Sequence, residues 1–197
     1  MKHVLLLALL TCVSVVAASS EAAAQERKGL FGSIGIGAGA TEADTAPFDL
    51  WVDREWARVT EVSVGWAFNK HVLAGLEVKT LSGDIVETPR VSLSLANVSG
   101  TLWIYPTESN FFIKGGAGPA YLDADVRVQG IGVSTTVSGF GVTAGAGYDI
   151  HLGGIVSLTP AVGITFARPG ELAILNNPFI SEWKQNTLDF TVSIKFN

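Results

Sequence analysis

Cys12 is the single cysteine in a chain of 197 residues. One cysteine cannot close an intramolecular disulfide, so a stapled secreted scaffold is excluded. Histidine is nearly as scarce, with only His3, His71 and His151. No cluster of His or Cys has the spacing of a metal site, and neither metal nor cofactor is expected. A Gly-x-Ser-x-Gly elbow is missing, and no His–Ser pair is recognisable on a strand, so the chain is not expected to be an enzyme. Charged residues make up only 16% of the chain, with a net charge of -5. A disordered chain would be polar and highly charged. An acidic chain also lacks the field that attracts phosphate, which argues against a nucleic-acid partner.

The start of the chain has a different character from the rest. Met1-Lys2-His3 precede an apolar run from Val4 to Ala18, and Ala22-Ala23-Ala24 follow. A positive n-region, an apolar h-region and a small-residue cleavage pattern define a signal peptide. Cleavage is expected after Ala24, giving a signal peptide over 1–24 and a mature domain over 25–197. Cys12 leaves with the signal.

After Ala24 no apolar run approaches the roughly 20 residues of a membrane helix. The apolar residues alternate instead. Val62-Ser63-Val64-Gly65-Trp66-Ala67-Phe68 is one instance, and Leu188-Asp189-Phe190-Thr191-Val192-Ser193-Ile194-Lys195-Phe196 is another. Period two means strands with two unlike faces. Eight such segments are predicted, at about 31–40, 59–68, 72–81, 91–105, 111–121, 137–150, 155–167 and 187–196, most of them near the length of a tilted strand that crosses a bilayer. In the fourth the apolar phase slips between Leu95 and Leu102, which predicts a bulge or a longer strand. Pro160, inside the seventh, cannot donate a ladder bond and predicts a local bulge. Connections alternate between short (69–71, 106–110, 151–154) and long (41–58, 82–90, 122–136, 168–186). That is the pattern of periplasmic turns and extracellular loops. Gln129-Gly130 is expected near the tip of a hairpin standing above the membrane.

The apolar phase holds Val, Leu, Ile, Phe, Trp and Tyr. The other phase holds small residues and a few charges: Glu61, Glu77, Lys79, Lys114, Asp149, Asp189 and Lys195. A basic residue facing mid-bilayer costs about 2–4 kcal/mol, so these charges are assigned to the inside. Small inward residues suit the narrow interior of eight strands. If the chain starts in the periplasm, Trp66, Phe68, Trp103, Tyr105, Phe111, Phe112, Tyr148 and Phe196 fall at the periplasmic rim. Tyr121, Phe140 and Phe166 fall at the opposite rim. Two belts of amphipathic rings are what the two interfaces favour.

With these features the chain resembles the small eight-stranded outer-membrane barrels of the OmpA-like and OmpX-like group. The likeness spans the mature chain and lies in architecture: strand number, loop alternation, aromatic belts and a last strand ending at Phe196. It implies an all-β, antiparallel, up-and-down transmembrane barrel in a bacterial outer membrane. Outer-membrane lipid is its surroundings, and the barrel-assembly machinery is its partner during biogenesis. That machinery reads a terminal aromatic in such barrels, whereas here Asn197 follows Phe196. The group covers structural proteins, surface-interaction proteins and narrow pores.

Two readings of the lumen stay open. The inward charges form paired networks that plug it, or they line a small polar conduit that the many inward glycines widen. The long connections carry aromatics, namely Phe48, Trp51 and Trp56 in the first and Phe179 and Trp183 in the last. These are either anchors for an unknown surface partner or loop packing. A competing fold is a soluble secreted barrel of the lipocalin type. It would bind an apolar ligand with its apolar phase turned inward.

Overall fold

The computed structural model describes residues 27–45, 52–87, 90–107, 109–128, 131–169, 172–174, 177–180 and 183–197. The signal peptide over 1–24 and loop residues such as Phe48 and Trp51 lie outside them. Eight long strands occur among the described residues: β1 (Gly29–Thr45), β2 (Val52–Ala67), β3 (Val72–Glu87), β4 (Arg90–Ile104), β5 (Phe111–Val128), β6 (Ile131–Tyr148), β8 (Val156–Pro169) and β11 (Trp183–Phe196). A short β7 (Ile150–Gly153) continues the path of β6, and β9 (Leu172–Ile174) with β10 (Asn177–Ile180) forms a small hairpin before β11. Each long strand pairs antiparallel with the next. β1 and β11 then pair from Gly32↔Phe196 to Thr45↔Trp183 and close the sheet. Closure removes both sheet edges, so backbone groups are satisfied without water, as a strand in hydrocarbon requires. No helix among the described residues is long and apolar enough to cross a membrane.

The strands outrun their expected length at the end bearing the long connections. β5 and β6 stay paired up to Val128↔Ile131, while Gln129-Gly130, the expected tip, lies outside the described residues. At the opposite end the turns are short. Positive φ at Gly153 (138°) and Gly154 (57°) lets the β7–β8 turn close within two residues.

Alternation sets the polarity. Ile34, Ile36, Val62, Val64, Val142, Val162 and Phe190 are exposed on the outer wall, while Ser63, Thr143, Thr165, Thr191 and Ser193 are buried within. A polar interior and an apolar exterior are the reverse of a lipocalin, and that alternative is overturned.

Two local expectations need correction. β4 carries no bulge at its phase slip. Its register with β3 runs unbroken from Val72↔Ile104 to Asp84↔Ser92. Leu95 points inward and Leu102 outward, so what changes along β4 is the content of the lumen. Pro160 causes a ladder gap instead of a bulge. It stays opposite Val192 of β11. On its other side β6 pairs with β8 only as far as Gly147↔Ala161, and β7 resumes at Ile150↔Leu158 in the same register. Proline has no N–H to offer there. On the β5 side the ladder goes on past the gap, where the Asp149 N–H donates to the Asn110 carbonyl at 3.0 Å.

Candidate functional site

The lumen is filled in three layers. At the short-turn, periplasmic end lie Phe31, Ala67, Leu73, Trp103, Tyr105, Phe112 and Ala161. Phe31 and Trp103 meet edge to face at 5.1 Å, and Tyr105 lies 5.5 Å from Phe112. This corrects the aromatic belt. Trp103 (4% exposed), Tyr105 (0%) and Phe112 (2%) line the lumen. Each stands in the inward phase of its strand, and its ring is better buried against other rings than split between lipid and water. Trp66, Phe68, Phe111 and Phe196 do face outward at the periplasmic end, and Tyr121, Phe140 and Phe166 face outward toward the other. Tyr148 is half-buried beside the ladder gap.

Asp149, at that gap, organises a polar group within the aromatic layer. It accepts from the Tyr105 hydroxyl (2.7 Å), the Thr159 hydroxyl (2.8 Å) and Lys195 Nζ (3.1 Å). Lys195 also contacts the Tyr105 oxygen at 2.5 Å. Arg27 completes the group. Its Nε lies 3.7 Å from Asp149 Oδ2, and its guanidinium sits 3.7 Å from the Tyr105 ring centre. Four regions of the chain, from the residues before β1 to the end of β11, thus meet at one carboxylate.

The middle layer is a second ionic group. Lys114 donates to Glu61 at 2.9 Å and to Glu77 at 2.7 Å. Lys79 donates to both oxygens of Asp189 at 3.0 and 3.1 Å, and lies 3.5 Å from Glu61. Glu61 therefore bridges two ammonium groups drawn from β3 and β5. All seven charged residues singled out in the sequence are buried in the lumen. With Arg27, the buried charges among the described residues are four cations and four carboxylates. That balance matters, because an uncompensated buried charge costs several kcal/mol.

Above these charges Ala57, Val59, Leu81, Leu95, Ala120, Leu122, Val137 and Ala167 form an apolar layer toward the extracellular end. The inward glycines do not widen the lumen. Three of them leave room that a side chain occupies: a Cβ on Gly65 would strike Phe31, one on Gly147 would strike Phe112, and one on Gly163 would strike Asp189 and Lys79. Between the two ionic groups remains a cavity of about 10 Å³, lined by Glu61, Lys114, Lys195, Ser63 and Thr159 among others. That is room for about one water.

Arg27 escaped the sequence reading. It precedes the first alternating segment and stands beside the expected leader, so no periodicity marks it as inward. No group of His, Cys, Asp or Glu among the described residues is arranged to hold a metal.

A family model described as an outer membrane protein beta-barrel domain matches residues 7–167, well over half of the chain. The chain belongs to the outer-membrane β-barrel family. It is a bacterial outer-membrane barrel, surrounded by outer-membrane lipid. Among solved structures it is similar in fold to Ail, the attachment invasion locus protein of Yersinia pestis, in complex with the heparin analogue sucrose octasulfate. The identity is 13%, the match covers 85% of this chain and 99% of that one, and the TM-score is 0.61. It is also similar to Neisserial surface protein A, at 16% identity, 84% and 97% coverage, and a TM-score of 0.57. No curated protein matches it in sequence.

Proposed function

We propose that the barrel is a sealed, non-enzymatic scaffold that holds its extracellular loops at the cell surface, and not a pore. One observation carries this reading: one ionic group lies within an aromatic layer, the other lies between that layer and an apolar one, and the cavity between the two groups measures about 10 Å³. A hydrated ion needs a continuous water column, and an eight-stranded interior is filled by side chains. Dewetted apolar constrictions oppose conduction as well. In planar bilayers the purified protein is expected to leave the membrane silent. Steady unitary conductance in the wild type would favour the pore.

The barrel-assembly machinery inserts the chain, with β11 and Phe196 as the segment it reads. A surface partner is met through the loops. The structure of Ail contains a polyanion. The segment 41–58, from the end of β1 into β2, carries Glu42, Asp44, Asp49, Asp53 and Glu55 against Arg54 and Arg58. Like charges repel, so a polyanionic partner is disfavoured on this face and a cationic or neutral one fits better. The detergent-solubilised protein is expected to pass through a heparin column at physiological salt. Retention that salt reverses would reverse the sign of this assignment.

A further inference from the structure

Arg27 occupies a site that is built for it yet held from one direction only. It is 2% exposed, although it lies outside any strand, two residues before β1. One of its Nη atoms donates to Asn110 Oδ1 at 2.8 Å, and the other lies 3.5 Å from the Lys70 carbonyl oxygen. The guanidinium plane covers the Tyr105 ring, and Asp149 stands beside Nε. These partners come from the β3 entry turn, the end of β4, the β5 entry turn and the β6 break. The cradle therefore belongs to the barrel, whereas the ligand belongs to the arm that leads into β1.

The donor set matches one chemical class. A planar cation with several N–H donors reaches an amide oxygen and a carbonyl through its two Nη atoms, places an unbonded Nε 3.7 Å from the carboxylate, and lays its face on an aromatic ring. A compact ammonium supplies the charge but not the plane or the fork. The cradle also favours a cation. Asp149 accepts from Lys195 and from the Tyr105 and Thr159 hydroxyls, with Arg27 Nε a further 3.7 Å away, and Tyr105 offers its π-face to no other charge as near as 3.7 Å.

We propose that the periplasmic mouth is a guanidinium-binding site and that Arg27 is its built-in, displaceable ligand. The N-terminal arm closes this end of the barrel by binding as a tethered ligand would. Without Arg27 the site accepts a free guanidinium compound from the periplasmic side. A short tether gives Arg27 an effective concentration of about millimolar order, so a free compound at tens of millimolar replaces it.

Chemical rescue tests this in the full mature chain refolded into lipid. R27A is expected to lower the heat-unfolding midpoint read by gel mobility. Methylguanidinium at sub-denaturing concentration should recover most of that loss, while the wild type gains nothing and an equal concentration of tetramethylammonium or sodium chloride does not substitute. Rescue should vanish in R27A/N110A. Absence of recovery beyond the salt control, or equal gain in the wild type, overturns the site. If R27A does not fold, the Arg27 Nε–H resonance of the wild type decides. A ring-current shift from Tyr105 that disappears in Y105L supports the cradle, and a random-coil position overturns it.

Discussion

Replacing Lys114 by alanine is expected to destabilise the folded barrel by about 3–5 kcal/mol, the range for removing one partner of a buried ion pair. Lys114 is the joint of the middle layer. Its ammonium holds Glu61 at 2.9 Å and Glu77 at 2.7 Å. Truncation leaves two buried carboxylates facing each other with one ammonium, on Lys79, within reach of Glu61 only. Water cannot compensate, since the neighbouring cavity has room for about one molecule. The same physics predicts a contrast. Replacing the whole group (Glu61, Glu77, Lys79, Lys114 and Asp189) with apolar residues of similar volume is expected to be close to neutral, because the cost of desolvating five charges disappears together with their attraction. Urea unfolding of the protein in vesicles measures both. An unchanged midpoint for Lys114→Ala would show that the layer contributes nothing to stability.

Ile36→Arg is expected to cost about 2–4 kcal/mol in a bilayer, the penalty for a basic residue near the midplane of a barrel's lipid face. Ile36 is 72% exposed on β1. It lies between the levels of Leu30, opposite Trp66, and Ala40, opposite Trp56. It therefore sits midway between outward-facing tryptophans, where no water is at hand to solvate a guanidinium. Ile36→Leu at the same place should change stability by a small fraction of that. Equal tolerance of the two substitutions in vesicle-based unfolding would mean that this wall does not face hydrocarbon.

The strands and their polarity were legible because both follow from one period. Val62 and Val64 cannot share a face with Glu61 and Ser63, whatever the surroundings. The interior was harder to read, because composition does not reveal which neighbour fills a space. The glycines at 65, 147 and 163 look like width in the sequence, whereas Phe31, Phe112 and the Lys79–Asp189 pair occupy that width. Trp103 and Tyr105 fall at the right height for an interfacial belt, but height and facing are independent, and their phase along β4 turns them inward. Leu95 and Leu102 show the same effect. One is luminal and one lipid-facing, with no slip of register between them, because the lumen itself changes from apolar to polar as β4 passes through it. Arg27 had no local signal at all. Its burial depends on Asn110, Tyr105 and Asp149 arriving from three other regions of the fold.

The paired extension of β5 and β6 up to Val128↔Ile131 has a consequence for encounters at the cell surface. Eighteen residues of strand, at about 3.3 Å each and tilted by about 40°, rise about 45 Å along the barrel axis, against an apolar band about 25 Å tall. Much of the remaining 20 Å or so stands clear of the bilayer as a stiff mast, in which β4 stays paired with β5 up to Arg90↔Arg127. A macromolecule approaching the cell surface would reach that mast before it reached the wall of the barrel.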